Sequence, residues 1–263
     1  MAPADDPKLD GAALAVLCAA QFLMVLDSAV MNVSISQLVE DFDTTVNAIQ
    51  GAITLYALIM AALMITGGKI GDRVGRRRTF GIGMAIYATG SAVTAVSQSV
   101  PVLIGGWSIL EGIGAAMVMP ALASLVAANF SGRARTTAYA AIGGVAGAGI
   151  AVGPLLGGWL TTNASWRVVF VGEVIVALLI LATLRTVRDA PFEGAPPQID
   201  VVGSVLSAVG MGVAVFGLLQ ASVWGWITPV NSPVEPFGFA LTPFVIAAGL
   251  GLLATFAWWQ RRR

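Results

Sequence analysis

The sequence predicts an all-α integral membrane protein of eight spans. Three observations carry this. Hydrophobic residues make up 57% of the 263-residue chain and charged ones only 11%, against about 25% charged in soluble proteins. The mean hydropathy is +0.85. The charges sit in clusters separated by apolar runs of about twenty residues, the length that crosses a hydrocarbon core. With no water there, a backbone must satisfy its own hydrogen bonds, and runs rich in alanine, leucine and glycine do so as helices.

The expected spans are roughly residues 12 to 36, 48 to 67, 80 to 98, 101 to 128, 137 to 160, 166 to 184, 201 to 221 and 239 to 259. A short acidic N-terminus, 1–11, precedes the first, whose apolar run is too long for a signal-peptide core and reads as a retained helix. The stretch RTVRDAPFEGAPPQID, 185–200, is the proline-rich linker that separates a six-span bundle, 12–184, from a final pair, 201–263. Basic residues fix the orientation. With the N-terminus in the cytoplasm, Lys8, the cluster Lys69 to Arg78, Arg133, Arg135, Arg185, Arg188 and Arg261 to Arg263 all fall inside, thirteen of the fourteen. The outer loops hold Glu40, Asp41, Asp43, Glu235 and the lone basic residue Arg167. The positive-inside rule therefore places both ends in the cytoplasm of a multi-pass cell-membrane protein.

Composition excludes several function classes. Histidine is absent and Cys18 is the one cysteine, so imidazole catalysis, a disulfide framework and a thiolate metal cage have no residues to use. No cofactor, no metal and no enzyme activity is expected. One arginine-rich hairpin is too small a footprint for nucleic acid. Gly143, Gly147, Gly149, Gly153, Gly157 and Gly158 crowd the fifth span, where glycine four apart lets helices approach closely. GAGIAVG there is not a dinucleotide loop, which follows a strand. With Pro154 beside it, the reading is a bend or hinge. Asn163 opens an outer N-x-S sequon. Trp107, Trp159, Trp166, Trp258 and Trp259 lie near span ends and read as an interfacial belt, and Met117 and Met119 read as core packing or as a soft cavity wall.

Four segments in order resemble the major facilitator superfamily, specifically its 14-span drug:proton antiporters. GGKIGDRVGRRRTF, 67–80, is similar to the G-x-L-a-D-R-x-G-R-K signature between spans two and three. GIAVGPLLGG matches the G-x-x-x-G-P-x-x-G-G signature through Gly149, Gly153, Pro154, Gly157 and Gly158. LDSAVMNVSIS resembles L-D-x-T-V-V-N-V-A-L-P, and WSILEGIGAAMVMPA resembles R-x-x-Q-G-x-G-A-A-x-x-x-P. The resemblance covers nearly the whole chain. It implies a six-helix N-terminal bundle with an extra central pair, and a second six-helix bundle beyond Arg263 or supplied by a partner chain.

The resemblance also assigns roles. Asp27 lies mid-span, where an ionised carboxylate costs about 2.5 to 3.5 kcal/mol on insertion scales, and its family position is a proton or cation-substrate site. The alternative is an aspartate that only ties helices together. Asn32 is either its polar neighbour or an independent helix contact. Glu111 in span four and Glu173 in span six lie at similar depth. Like charges that approach there cannot all stay ionised. Span four lines the cavity in the resembling fold and span six lies outside it, so Glu111 is the better second proton site and Glu173 the lesser one, with an interhelical hydrogen-bonding role as its alternative. Ser108 and Glu111 stand where the pattern has arginine and glutamine, Glu173 where it has asparagine, and Ser36 where it has proline. A cation is lost and anions are added, which favours cationic substrates. Gly68, Asp72, Arg73, Gly75 and Arg76 correspond to a cytoplasmic gating latch. Together these features imply a proton-coupled exporter of drug-like or cationic small molecules, with protons, substrate and the bilayer as partners. The alternative is a truncated, non-transporting homologue that assembles with or regulates a partner.

Overall fold

The computed structural model describes residues 10–189 and 200–262. The expected N-terminal segment before residue 10, the linker interior 190–199 and Arg263 lie outside the described residues. Every regular element described is helical: α1 (Gly11–Val33), α2 (Ile35–Asp41), α3 (Val46–Val74), α4 (Arg76–Ala95), α5 (Val100–Leu103), a π-helical segment (Ile104–Glu111), α6 (Gly112–Asn129), α7 (Gly132–Asn163), α8 (Arg167–Thr183), α9 (Val201–Trp224) and α10 (Thr242–Arg262). Two short 3₁₀ turns follow α8 and precede α10.

Seven helices are long and apolar enough to cross a membrane, α5 through α6 counting as one. The expected span not among them, 80 to 98, falls in α4. That helix matches in length, but three arginines open it and glycine, serine and threonine dilute its apolar run. Its polar positions Thr79, Tyr87, Ser91 and Thr94 are buried against neighbouring helices, so α4 is apolar toward its surroundings in a way that composition alone does not register.

Local signals start and stop the helices. Asp10, Thr45 and Asp200 each accept a hydrogen bond from a backbone N–H of the first turn of α1, α3 and α9, which satisfies donors that a helix start leaves orphaned. Gly75 closes α3 and opens α4 at φ 103°, a left-handed conformation that glycine adopts without a Cβ penalty.

Small residues set the packing. α1 lies along α7, α4 between α6 and α8, and α3 against α6 on one side and α9 on the other. On α7 the glycines at 149, 153 and 157 face Val25, Ala29 and Val30 of α1, the close approach that glycine four apart permits. α7 runs unbroken through Pro154. The final pair is seamed in the same way: Gly210 and Gly217 of α9 meet Leu253 and Ile246 of α10, and Gly249 of α10 meets Ala214. The core of the bundle gathers Trp107, Trp166, Tyr87, Phe80 and Phe170, all fully buried. This corrects the interfacial-belt reading for Trp107 and Trp166. Both lie near span ends in sequence, yet both rings are buried, with the Trp107 N–H donating to buried Asp27 and the Trp166 N–H to Asp41 at the surface.

Candidate functional site: a buried carboxylate cluster

Asp27 from α1, Glu111 from the end of the π-helical segment and Glu173 from α8 meet in the bundle interior. One oxygen from each lies within 4.8 Å of the others, and the three residues are 0%, 0% and 2% exposed. Asp27 and Glu173 each have one oxygen engaged by neutral donors, and Glu111 has one beside a hydroxyl that it shares with a backbone carbonyl. The indole N–H of Trp107 donates to Asp27 Oδ1 at 2.7 Å. Tyr87 and Ser91 hydroxyls donate to Glu173 Oε2, both at 3.2 Å. Thr94 reaches Glu111 Oε1 at 3.4 Å while donating to the Gly90 carbonyl at 2.8 Å. The other oxygens, Asp27 Oδ2, Glu111 Oε2 and Glu173 Oε1, are buried with no hydrogen-bond partner.

The local sequence builds this arrangement. Glycines let the π segment and α4 touch: a Cβ on Gly90 would stand 2.6 Å from Glu111 Cγ, and one on Gly106 would stand 2.7 Å from Thr94 Oγ1. Widened turns of this kind recur at functional sites. Ser108, where the resembling pattern has arginine, donates to the Ala52 carbonyl at 2.9 Å. No guanidinium therefore enters the cluster from that position. Three acids held by hydroxyl and indole donors can take up and release protons. Oxygens at this spacing would also suit a hard cation with ligands at about 2.3–2.6 Å.

Glu173 thus joins Asp27 and Glu111 in the bundle interior, and it does not line the open cavity described below. Asn32 does not join them: it is exposed, and its amide donates to the Ser28 carbonyl one turn back at 2.7 Å. Tyr56, Tyr87, Ser91, Thr94 and Trp107 are the participants that sequence reasoning missed. Tyr87, Ser91 and Thr94 had a visible signal, a polar stripe at i, i+4 and i+7 along one face of a glycine-rich helix.

Beside the cluster an open cavity of about 380 Å³ is lined by Met24, Ser28, Asn32, Tyr56, Met60 and Met119 among others. Met119 therefore belongs to a cavity wall, while Met117 backs onto Gly83 of α4. Tyr56 stacks on Trp107 with ring centroids 4.7 Å apart and planes 7° from parallel.

Where α3 meets α4, Asp72 pairs with Arg76 at 3.6 Å, both side chains well exposed. Asp189 from the segment after α8 accepts from the Arg77 backbone N–H at 3.1 Å. At the opposite end of α3 Arg167 pairs with Asp41 at 2.9 Å, and Trp166 donates to the same oxygen at 2.8 Å. Burial alone would push Asp41 up. Hydrogen bonds from Gln37, Trp166 and Arg167, with the Arg167 charge, outweigh it and hold that carboxyl below its ordinary value.

The description of the Major Facilitator Superfamily matches residues 17–263. The chain is 33% identical over 231 residues to the tetracenomycin C resistance and export protein of Streptomyces glaucescens, across 88% of this chain and 42% of that protein. It is 33% identical over 211 residues to the multidrug efflux pump LfrA of Mycolicibacterium smegmatis, across 80% and 42%. Among solved structures, the peptide transporter POT in complex with sulfate superposes with a TM-score of 0.62 at 18% identity, across 82% of this chain and 47% of that one. The chain thus spans less than half the length of these relatives.

Proposed function

Because the chain belongs to the Major Facilitator Superfamily, we propose that it forms the front part of a proton-coupled exporter of drug-like or cationic small molecules in the cell membrane, with both ends cytoplasmic. The observation that carries this is the meeting of Asp27, Glu111 and Glu173, three carboxylates from three helices, with only neutral donors beside them. Three ionised carboxylates at this depth, each costing about 2.5 to 3.5 kcal/mol on insertion scales and repelling the others, do not persist together. Protons neutralise them when the site is dry, and wetting from one side of the membrane releases them. A substrate that needs the ionised form competes with those protons. This is the exchange an antiporter requires.

The rest of the chain supplies the moving parts. Residues 12–184 form one bundle that rocks against a second around a midplane site, and 201–263 form an added pair. Gly68, Asp72, Arg73, Gly75 and Arg76 form the cytoplasmic latch, in which the Asp72–Arg76 pair is weak enough to open, since exposed ion pairs contribute about 0 to 1 kcal/mol. The run Gly149, Gly153, Pro154, Gly157 and Gly158 gives α7 its hinge against α1. In a full-length transporter carrying this chain, Asp27→Asn is expected to abolish proton-driven efflux of a cationic dye from everted vesicles. Undiminished efflux would overturn the assignment.

A further inference from the structure

The open cavity and the buried acids are separate spaces, and two aromatic residues lie between them. Tyr56 belongs to the cavity wall and stacks on Trp107. Trp107 is 1% exposed and does not line the cavity; its one polar atom is committed to Asp27. Cavity, Tyr56, Trp107 and Asp27 therefore form an unbroken series of direct contacts, with a rigid ring at each intermediate step. Rings have few internal torsions, so a displacement at one end is passed on and not absorbed.

We propose that Tyr56 and Trp107 are the positioning residues through which the acid cluster reads occupancy of the cavity, and that the ligand it reads is a planar aromatic molecule. The inference rests on the proton-holding reading of Asp27. The ligand class follows from the wall. Met24, Met60 and Met119 offer polarizable sulfurs, which favour contact with aromatic rings and adapt to their outline, and Tyr56 offers an aromatic surface. Ser28, Asn32 and Tyr56 are the lining residues with polar side-chain groups, and among the described residues no formally charged side chain lines the cavity. A small, strongly hydrated cation finds nothing there to replace its water; a flat ring system does.

The sign follows from the hydrogen bond. A ring seated against Tyr56 confines it on Trp107 and holds the indole N–H on Asp27 Oδ1. A donor fixed on a carboxylate favours its ionised form, and exclusion of water strengthens that bond. The cluster then gives up a proton as the ligand arrives. The other titratable groups facing Asp27 are Tyr56 from α3, Tyr87 from α4, Glu111 from the π segment and Glu173 from α8, and they share the remaining protons.

The test is ethidium binding to the protein in lipid nanodiscs in weak buffer, with a pH indicator reporting protons released, and tetraethylammonium as the non-aromatic comparison. The unaltered protein is expected to bind ethidium with proton release and to ignore tetraethylammonium. Trp107→Phe keeps a ring for Tyr56 but deletes the donor, and is expected to bind ethidium while losing the release. Tyr56→Leu is expected to weaken binding by about 2- to 10-fold and lose the release, which Tyr56→Phe restores. Should Tyr56→Leu fail to fold, Trp107→Phe carries the test. Full release by Trp107→Phe, or no ethidium binding by the unaltered protein, overturns the inference. Asp27→Asn separates the two readings. Release that persists in it overturns the proton-holding role itself; release lost there but intact in Trp107→Phe overturns only the relay.

Discussion

Asp189 caps α4 from 112 positions beyond the residue it binds: its Oδ1 accepts the Arg77 backbone N–H at 3.1 Å, in the first turn of α4, where Gly75 has no side chain to do so. Arg77 in turn donates to the Val187 carbonyl at 3.3 Å, and Asn129 exchanges two hydrogen bonds of 2.9 Å with the backbone of Arg188. The chain leaving α8 is thus fastened to the start of α4 and to the end of α6. Asp189→Ala is expected to cost about 1 kcal/mol, the usual loss of a capping oxygen, and to speed amide exchange in the first turn of α4 while α1 and α7 stay protected. Unchanged exchange at Arg77 would remove the cap from the account.

The glycine seam between α1 and α7 gives a paired prediction. A Cβ on Gly153 runs into Ala29, whereas one on Gly147 meets nothing within 4 Å. Gly153→Val is expected to destabilise by about 1 to 3 kcal/mol, the range for overpacking, seen as a lower melting temperature in detergent. Gly147→Ala is expected to leave stability equal or raise it by up to about 1 kcal/mol through helix propensity. Equal effects at both positions would mean that the seam is not where α1 and α7 meet.

Depth along a helix was legible in the sequence; rotation about its axis was not. Asp27, Glu111 and Glu173 could be placed in one polar layer by counting from span ends, and all three are there. Which way α8 turns depends on packing with α4, so the partnership of Glu173 with Tyr87 and Ser91 could not be read from spacing. Trp107 was misplaced for a related reason. Its position near a span end suggested the membrane interface, but the π-helical segment widens the turn and shifts residues 104–111 off the phase that a 3.6-residue period assumes. The α4 span was legible as a helix and ambiguous in apolarity, because its polar residues serve the interior and not the bilayer. The motif around Gly68 to Arg76 was visible as a charge cluster, while its fastening by Asp189 spans too many residues for any local pattern to carry.

Outside the membrane-spanning segments, Asp41 gives a pH dependence whose sign is fixed. Partial desolvation pushes its carboxyl up, but hydrogen bonds from Gln37, Trp166 and Arg167 and the Arg167 charge outweigh this and hold it below the ordinary value. A group depressed in the folded state contributes stability that is fully present above its unfolded value, about 3.9 for aspartate, and is lost as pH falls through the folded one. Melting temperature is expected to drop in acid more steeply for the unaltered protein than for Asp41→Asn, with the two curves parallel near neutrality. Parallel curves throughout would mean that the Asp41–Arg167 pair is not maintained in solution.

The three unpartnered oxygens of the cluster make Glu173→Gln a discriminating substitution. The amide keeps a carbonyl oxygen for Tyr87 and Ser91, which donate to Glu173 Oε2, and it adds an NH₂ where Oε1 has no partner. That NH₂ can donate toward the unpartnered oxygens of Asp27 and Glu111, and it removes one of three mutually repelling acids. A hydrogen bond gained by a buried orphan is worth about 0.5 to 1.5 kcal/mol, and more when the acceptor is charged. The variant is therefore expected to melt higher than the unaltered protein. In a full-length transporter it is expected to export dye less well in response to a proton gradient, because one proton-holding group is gone. Functional sites are commonly less stable than their nearest inert variant. If Glu173 were only an interhelical tie, the glutamine would preserve the tie, and efflux would be unchanged. A higher melting temperature with intact proton-driven efflux would therefore return Glu173 to a structural role and leave Asp27 and Glu111 as the coupled pair.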